Sequence, residues 1–200
     1  MWEQIPKHVT HIAGIDEAGR GPLAGPVTVG MVSVPKDFAQ ELLEGVRDSK
    51  QMPQHKREEW YAQACMWHDE GKARMAVSHV GHKLVDRLGL TKAVDRGIRR
   101  VLRDIDHTTT LILLDGLLRA PRRFRYQHTI TKGDEKIPLI SLASNCAKVT
   151  RDAKMRRYAT EFELYGFEQH KGYATKKHRD QIRKHGLCAI HRRRFCSELT

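Results

Sequence analysis

The sequence predicts an α/β protein: a mixed sheet flanked by helices, with a mostly helical C-terminal part. Three observations predict it. Short apolar or β-branched runs at 11–15 (HIAGI), 26–34 (PVTVGMVSV) and 111–114 (LILL) read as buried strands. Apolar residues between them recur at helical spacing, most plainly over 82–104. From residue 138 onward the pattern is helical almost throughout.

The elements follow in order. After the first strand, GRGPLAG forms a connection to the second. Residues 36–44 make a short helical stretch. A helix over 53–70 opens on a proline and is filled with helix formers. Residues 73–80 give a third strand, and 82–104 a helix whose apolar positions share one face. LILL is a central strand, and 126–130 a weaker one. A long helix covers 138–162, and a basic helix at 176–185 precedes an irregular HRRRF.

Two hundred residues suit one domain, here over 1–200, with its helical C-terminal part at roughly 153–200. The net charge of +12 and the pI near 9.8 point to a polyanionic partner. The basic residues are spread along the chain, which favours nucleic acid over a membrane surface; the bland alternative is solubility alone. No apolar run is long enough for a bilayer, and MWEQIPKHVT has no signal-peptide core, so a cytoplasmic protein is expected. The cysteines are Cys65, Cys146, Cys188 and Cys196, with no CxxC pair, so reduced thiols are expected, not a disulfide framework or zinc site.

Asp16 and Glu17 follow the first strand, and Asp115 follows LILL directly. Groups just past strand ends gather at one rim of an α/β sheet, where ligands bind. Asp16 and Asp115 meet there if their strands are parallel neighbours. Adjacent strand residues point to opposite faces, so Glu17 joins them only if the strand ends or bends, which Gly19 and Gly21 permit. Asp152 lies in the long helix. Clustered carboxylates repel, and a divalent cation such as Mg²⁺ or Mn²⁺, which prefers oxygen ligands, removes the conflict. The competing readings are a plain Asp-Gly turn at Asp115 and a surface ion pair between Arg151 and Asp152. The Gly19-Arg20-Gly21 loop offers backbone N–H groups and a fixed cation for a phosphate. Its place beside two acids suggests phosphodiester chemistry.

These residues belong to a longer resemblance. GIDEAGRGPLAGPV at 14–27 resembles the opening motif of ribonuclease HII, followed in the family's order by DSK at 48–50, LLDG at 113–116, KGD at 132–134, AKVTRDAKM at 147–155, YGFEQHKGYAT at 165–175 and HRRRF at 191–195. The resemblance implies an RNase H-like fold. It implies an endonuclease that cuts the RNA strand of RNA–DNA hybrids and incises 5′ of single ribonucleotides in duplex DNA, leaving 3′-hydroxyl and 5′-phosphate ends. By motif, Asp16, Glu17, Asp115 and Asp152 are the catalytic, metal-binding acids for Mg²⁺ or Mn²⁺. Gly19, Arg20 and Gly21 sense the 2′-hydroxyl and adjoining phosphates. Tyr173 stacks on the sugar of the following deoxynucleotide, where a 2′-hydroxyl would crowd the ring. Lys50 and Lys148 contact phosphates. The expected partners are hybrids or ribonucleotide-containing DNA, without a membrane, and the expected state is a monomer.

Two positions and one stretch depart from the family pattern: Asn145 where an apolar residue is usual, Arg194 where serine is usual, and DRLGLTKA at 86–93. They bear on helix packing and duplex contact. HRRRFCSELT gives no support for a replication-clamp partner. Three alternatives remain. A metal-independent ribonuclease would use histidines as acid and base, but His170, His178 and His191 sit among basic residues and read as phosphate contacts or surface side chains. A non-catalytic hybrid-binding module would need none of the acids. Ribonuclease HIII usually has an extra N-terminal domain and a lysine in the loop, whereas here the motif starts at residue 14 and reads GRG.

Overall fold

The structure, a computed structural model, describes residues 5–38, 40–47, 49 and 52–199. Its frame is a five-stranded sheet in the order β3-β2-β1-β4-β5. The strands are β1 (His11–Ala18), β2 (Val27–Pro35), β3 (Arg74–Val80), β4 (Thr110–Asp115) and β5 (Gln127–Ile130). β1, β2 and β3 are antiparallel neighbours, while β1, β4 and β5 run parallel, so the sheet is mixed as the sequence predicts.

Seven helices lie in chain order among the described residues: α1 (Gln54–Asp69), α2 (His82–Leu88), α3 (Leu90–Val101), α4 (Gly133–Lys136), α5 (Pro138–Glu161), α6 (Phe167–His170) and α7 (Lys176–His185). The predicted continuous helix over 82–104 is two helices. Gly89, at φ +80°, leaves the helical region and re-aims the chain, yet Val85, Val94, Ile98 and Val101 still reach one core. The stretch at 36–44 reduces to a 3₁₀ turn at Gln40–Leu43. β1 runs three residues past the predicted 11–15, through Ala18. The single-turn helices α4 and α6 are too short to leave a periodic signal.

Alternation along the strands divides the core. Ile12, Leu111 and Leu113 face α1 and α5, packing with Trp67, Leu139 and Leu142. Ala13, Ile15, Ile112 and Leu114 face α2 and α3. A third cluster joins Leu23 and Ala24 to Met155, Phe167, Ile182 and Ile190, docking the helical C-terminal part on the loop after β1.

Two glycines set the distance of α5 from the sheet. A Cβ on Gly14 would lie 2.4 Å from the Leu139 carbonyl oxygen, and one on Gly30 would lie 2.3 Å from that of Ala143. Only bare backbone fits there. Gly30→Ala is therefore expected to push α5 away and cost about 3 kcal/mol, the upper end for overpacking, because the obstacle is backbone. A shift of the urea midpoint reads this directly, and an unchanged midpoint would contradict the close approach. No helix among the described residues is long and apolar enough to cross a membrane.

Candidate active site

β1 and β4 pair in parallel up to Ile15 and Leu114, which sets Asp16 and Asp115 side by side at the next position. Both continue the alternation of Leu113 and Gly14, so both face α5. Asp115 Oδ1 accepts the Gly133 N–H at 2.7 Å and the Asp134 N–H at 3.3 Å, which draws the start of α4 over the strand end. Asp134 is thereby added: carboxylate oxygens of Asp16, Asp115 and Asp134 all lie within 4.8 Å of one another.

Asp16 is buried, and burial pushes its carboxyl well above the usual range, with repulsion from Glu17 and Asp115 adding to the rise. The Ser144 hydroxyl of α5 opposes this by donating to Asp16, while itself receiving from Ser49 Oγ at 2.9 Å. Glu17 lies beside Asp16 although the strand neither ends nor bends between them; its longer side chain comes close enough to interact with Asp16 and Asp115. Burial raises its pKa too, opposed by Arg20, whose Nη1 stands 3.1 Å from Glu17 Oε1. Glu17 Oε2 is buried with no hydrogen-bond partner among the described residues. Crowded hard oxygen donors, raised pKa values and an orphaned buried carboxylate oxygen together fit a divalent cation.

Asp152 lies two turns beyond Ser144 on α5 and outside that close group. Lys148 Nζ holds its carboxylate at 2.9 Å, and Arg151 Nη1 stands 3.9 Å away. The alternative of a surface ion pair fails here, because the Arg151 side chain is fully buried and Asp152 nearly so.

Gly19, at φ +88°, turns the chain out of β1 where a Cβ would strike Arg151. Two buried arginines hold this loop. Arg192 donates from Nε to the Gly25 carbonyl (2.9 Å), from Nη1 to Arg20 (2.9 Å) and from Nη2 to Gly19 (2.7 Å). Arg151 donates from Nε to Pro26 (3.0 Å) and from Nη2 to Ala24 (3.4 Å) and Lys171 (3.0 Å). Burial and the neighbouring Arg151 push Arg192 down to about 10, which leaves it charged at neutral pH. With the loop carbonyls turned onto guanidinium groups, the N–H groups of Gly19, Arg20 and Gly21 make no backbone hydrogen bond among the described residues. They remain available to an acceptor.

Tyr173 is 41% exposed, its ring centroid 5.8 Å from Lys148 Nζ and 5.6 Å from Arg151 Cζ. Lys148 thus touches both Asp152 and Tyr173. Lys50 lies outside the described residues. Asn145 donates from Nδ2 to the Arg47 carbonyl at 3.2 Å, so a polar side chain here ties α5 to the loop before α1. At Arg194 the backbone N–H donates to Asp86 at 3.3 Å while the side chain is exposed, so the departure at 194 falls on the surface.

The three histidines were misplaced by sequence reasoning. His170, His178 and His191 are buried, not surface groups or phosphate contacts. They stack and hydrogen-bond among themselves around Phe167. Burial pushes His178 and His191 down to about 4, so neither carries charge at neutral pH. Asp134, Ser144, Arg151 and Arg192 were also missed. Asp134 stood in the quoted KGD, but it does not directly follow an apolar run. Nothing local marks an arginine as buried.

The comparisons with known proteins give the family and the fold. The sequence profile described as Ribonuclease HII matches residues 13–198. The chain is 41% identical over 184 residues to a ribonuclease HII of Endomicrobium trichonymphae, covering 92% of this chain and 84% of that one. It is 40% identical over 202 residues to a ribonuclease HII of Chlorobaculum parvum, covering 98% and 92%. Its fold is similar to that of the ribonuclease H2 from Pyrococcus horikoshii, with a TM-score of 0.75 at 24% identity over 94% of this chain and 96% of that one. With its carboxylates at the sheet rim and its profile match across nearly the whole chain, the protein belongs to the ribonuclease HII family and is a type HII ribonuclease H, an enzyme of RNA–DNA hybrids.

Proposed function

We propose that this enzyme cuts the RNA strand of hybrids internally and also incises 5′ of single ribonucleotides embedded in duplex DNA, leaving 3′-hydroxyl and 5′-phosphate ends. The reading is carried by one observation: the acidic cluster adjoins a loop whose N–H groups make no backbone hydrogen bond among the described residues and whose Arg20 side chain is half-exposed beside Glu17. Asp16, Glu17, Asp115 and Asp134 would hold Mg²⁺ or Mn²⁺, with Asp152 completing the acids of the site. A cation held there supplies positive charge against the phosphate and makes water a stronger acid.

The chain's own groups bind and orient. Gly19, Arg20 and Gly21 present N–H donors to the ribonucleotide's 2′-hydroxyl, which is what tells RNA from DNA. Arg20 takes an adjoining phosphate. Tyr173 stacks on the following sugar, where a 2′-hydroxyl would crowd it. Lys148 and Lys50 take phosphates. Residues 1–200 act as one catalytic unit, because Arg192 of the C-terminal part holds the GRG loop. The buried, neutral His170, His178 and His191 are unsuited to acid–base work.

The test is a labelled duplex with one ribonucleotide, incubated in Mg²⁺, in Mn²⁺ and in EDTA. The expected product is a cut on the 5′ side with a 3′-hydroxyl end, absent in EDTA. A cyclic phosphate end, or cleavage that survives EDTA, would overturn the reading. Affinity for an uncut duplex is expected to fall steeply with salt, given the net charge of +12.

A further inference from the structure

The turn that carries Tyr173 has two consecutive residues in the left-handed region, Lys171 at φ +51° and Gly172 at φ +86°. Such a turn persists only where its surroundings hold it. Its backbone groups are all engaged. The Lys171 N–H donates to the Phe167 carbonyl, and the Lys171 carbonyl accepts from Arg151. The Gly172 N–H donates to His170 Nδ1 at 3.2 Å, and the Gly172 carbonyl accepts the Leu23 N–H at 2.8 Å. The Tyr173 N–H donates to the His170 carbonyl at 2.9 Å. The Tyr173 carbonyl stands 2.9 Å from His178 Nδ1.

That last contact begins a chain whose direction is fixed. A carbonyl only accepts, so His178 carries its proton on Nδ1. His178 Nε2 is then an acceptor and takes the proton of His191 Nε2, 3.1 Å away. His191 Nδ1 accepts the Cys188 N–H at 2.9 Å. One tautomer satisfies every contact, and burial keeps both rings neutral. The chain thus runs from one main-chain N–H through two imidazoles to the carbonyl of Tyr173. His191 also bridges to Ala24 in the backbone, and its neighbour Arg192 holds the GRG loop. Adjacent residues of one segment therefore tie down both elements that meet the substrate.

We propose that His178 and His191 are positioning residues for Tyr173, holding its ring in register with the GRG loop and so setting the enzyme's preference for a deoxynucleotide after the ribonucleotide. This rests on the reading of Tyr173 given above. Neither histidine touches substrate; His178 acts on the carbonyl of Tyr173, which also accepts the Thr175 N–H at 2.8 Å, and His191 acts through His178.

Two duplexes test it, alike except that the ribonucleotide is followed by a deoxynucleotide in one and a ribonucleotide in the other. The readout is the ratio of their kcat/KM values, and KM and kcat are resolved for each. Tyr173→Ala should lower the ratio on the order of tenfold, as loss of one stacking contact does. His191→Phe keeps a ring but removes both nitrogens, and should lower the ratio several-fold, mainly through KM. His178→Asn retains a donor for Tyr173 and loses the link to His191, so its ratio should fall less. Added to Tyr173→Ala, either change should leave the ratio where it was. Nitrogen NMR of the wild-type imidazoles at neutral pH should show the proton on Nδ1 of His178 and on Nε2 of His191.

If Tyr173→Ala lowers the ratio but both histidine variants slow the two substrates equally, the histidines are structural only and the inference is overturned. The opposite tautomers would overturn it without any mutation. An unchanged ratio in Tyr173→Ala would instead sink the stacking role, and the positioning role with it.

Discussion

Asp16→Asn is expected to slow strand cleavage on the order of 1,000-fold or more, about 4 kcal/mol of transition-state stabilisation, and to make the cation-free protein more stable. The two effects have one cause. Asp16 is buried beside Glu17 and Asp115, and its carboxyl is raised well above the usual range. The native state therefore holds that proton more tightly than the unfolded chain. Its contribution to stability is fully present below the unfolded pKa and is lost as pH rises through the folded one. Without a cation at neutral pH the ionised cluster opposes folding. Asparagine keeps the shape and can still accept from Ser144, but it carries no charge. In EDTA the variant should melt above the wild type, by about 2–4 °C for each kcal/mol in a chain of this length. Added Mg²⁺ or Mn²⁺ should raise the wild-type Tm and raise the variant's much less. A variant that melts lower in EDTA and responds equally to cation would refute the carboxylate site, whatever its activity.

Arg192→Lys is expected to cost about 3–5 kcal/mol and to damage recognition of the ribonucleotide more than any surface change. The Arg192 side chain is fully buried, and its planar fork satisfies the carbonyls of Gly19, Arg20 and Gly25 together. An ammonium is a point donor on a flexible stem and cannot reach three carbonyls in that arrangement. Each buried acceptor left without a partner costs about 1–3 kcal/mol. The loop then loses the contacts that fix its carbonyls on Arg192 and leave its N–H groups without a backbone partner. Tm should fall by roughly 6–20 °C, and KM for the single-ribonucleotide duplex should rise. Arg194→Lys, two positions on with an exposed side chain, is the control and should change neither. A thermal midpoint and KM both unmoved in Arg192→Lys would mean that the loop is held by other contacts.

What the sequence by itself determined was local. A run such as LILL is apolar enough to be a central strand wherever it occurs, and an acid directly after it must lie at the sheet rim. That reasoning put Asp16 and Asp115 at strand ends that meet only if their strands are parallel neighbours; the structure supplies that pairing, with Asp16 inside a β1 that runs on to Ala18. The order of strands and long helices followed from the same periodicities, apart from the break at Gly89. Only the tertiary structure decided which polar residues go inside. Arg192 is buried because it finds carbonyls 167, 172 and 173 residues away in sequence, and no local pattern encodes such partners. His178 and His191 read as surface groups because they sit among lysines and arginines, yet their rings close on each other, and His178 on the carbonyl of Tyr173. Asp134 joined the acids because Asp115 accepts two N–H groups from the turn that carries it. Hydropathy assigns a charged side chain to water by default. Burial reverses that only when distant backbone supplies the missing hydrogen bonds, and distance along the chain hides those partners from the sequence.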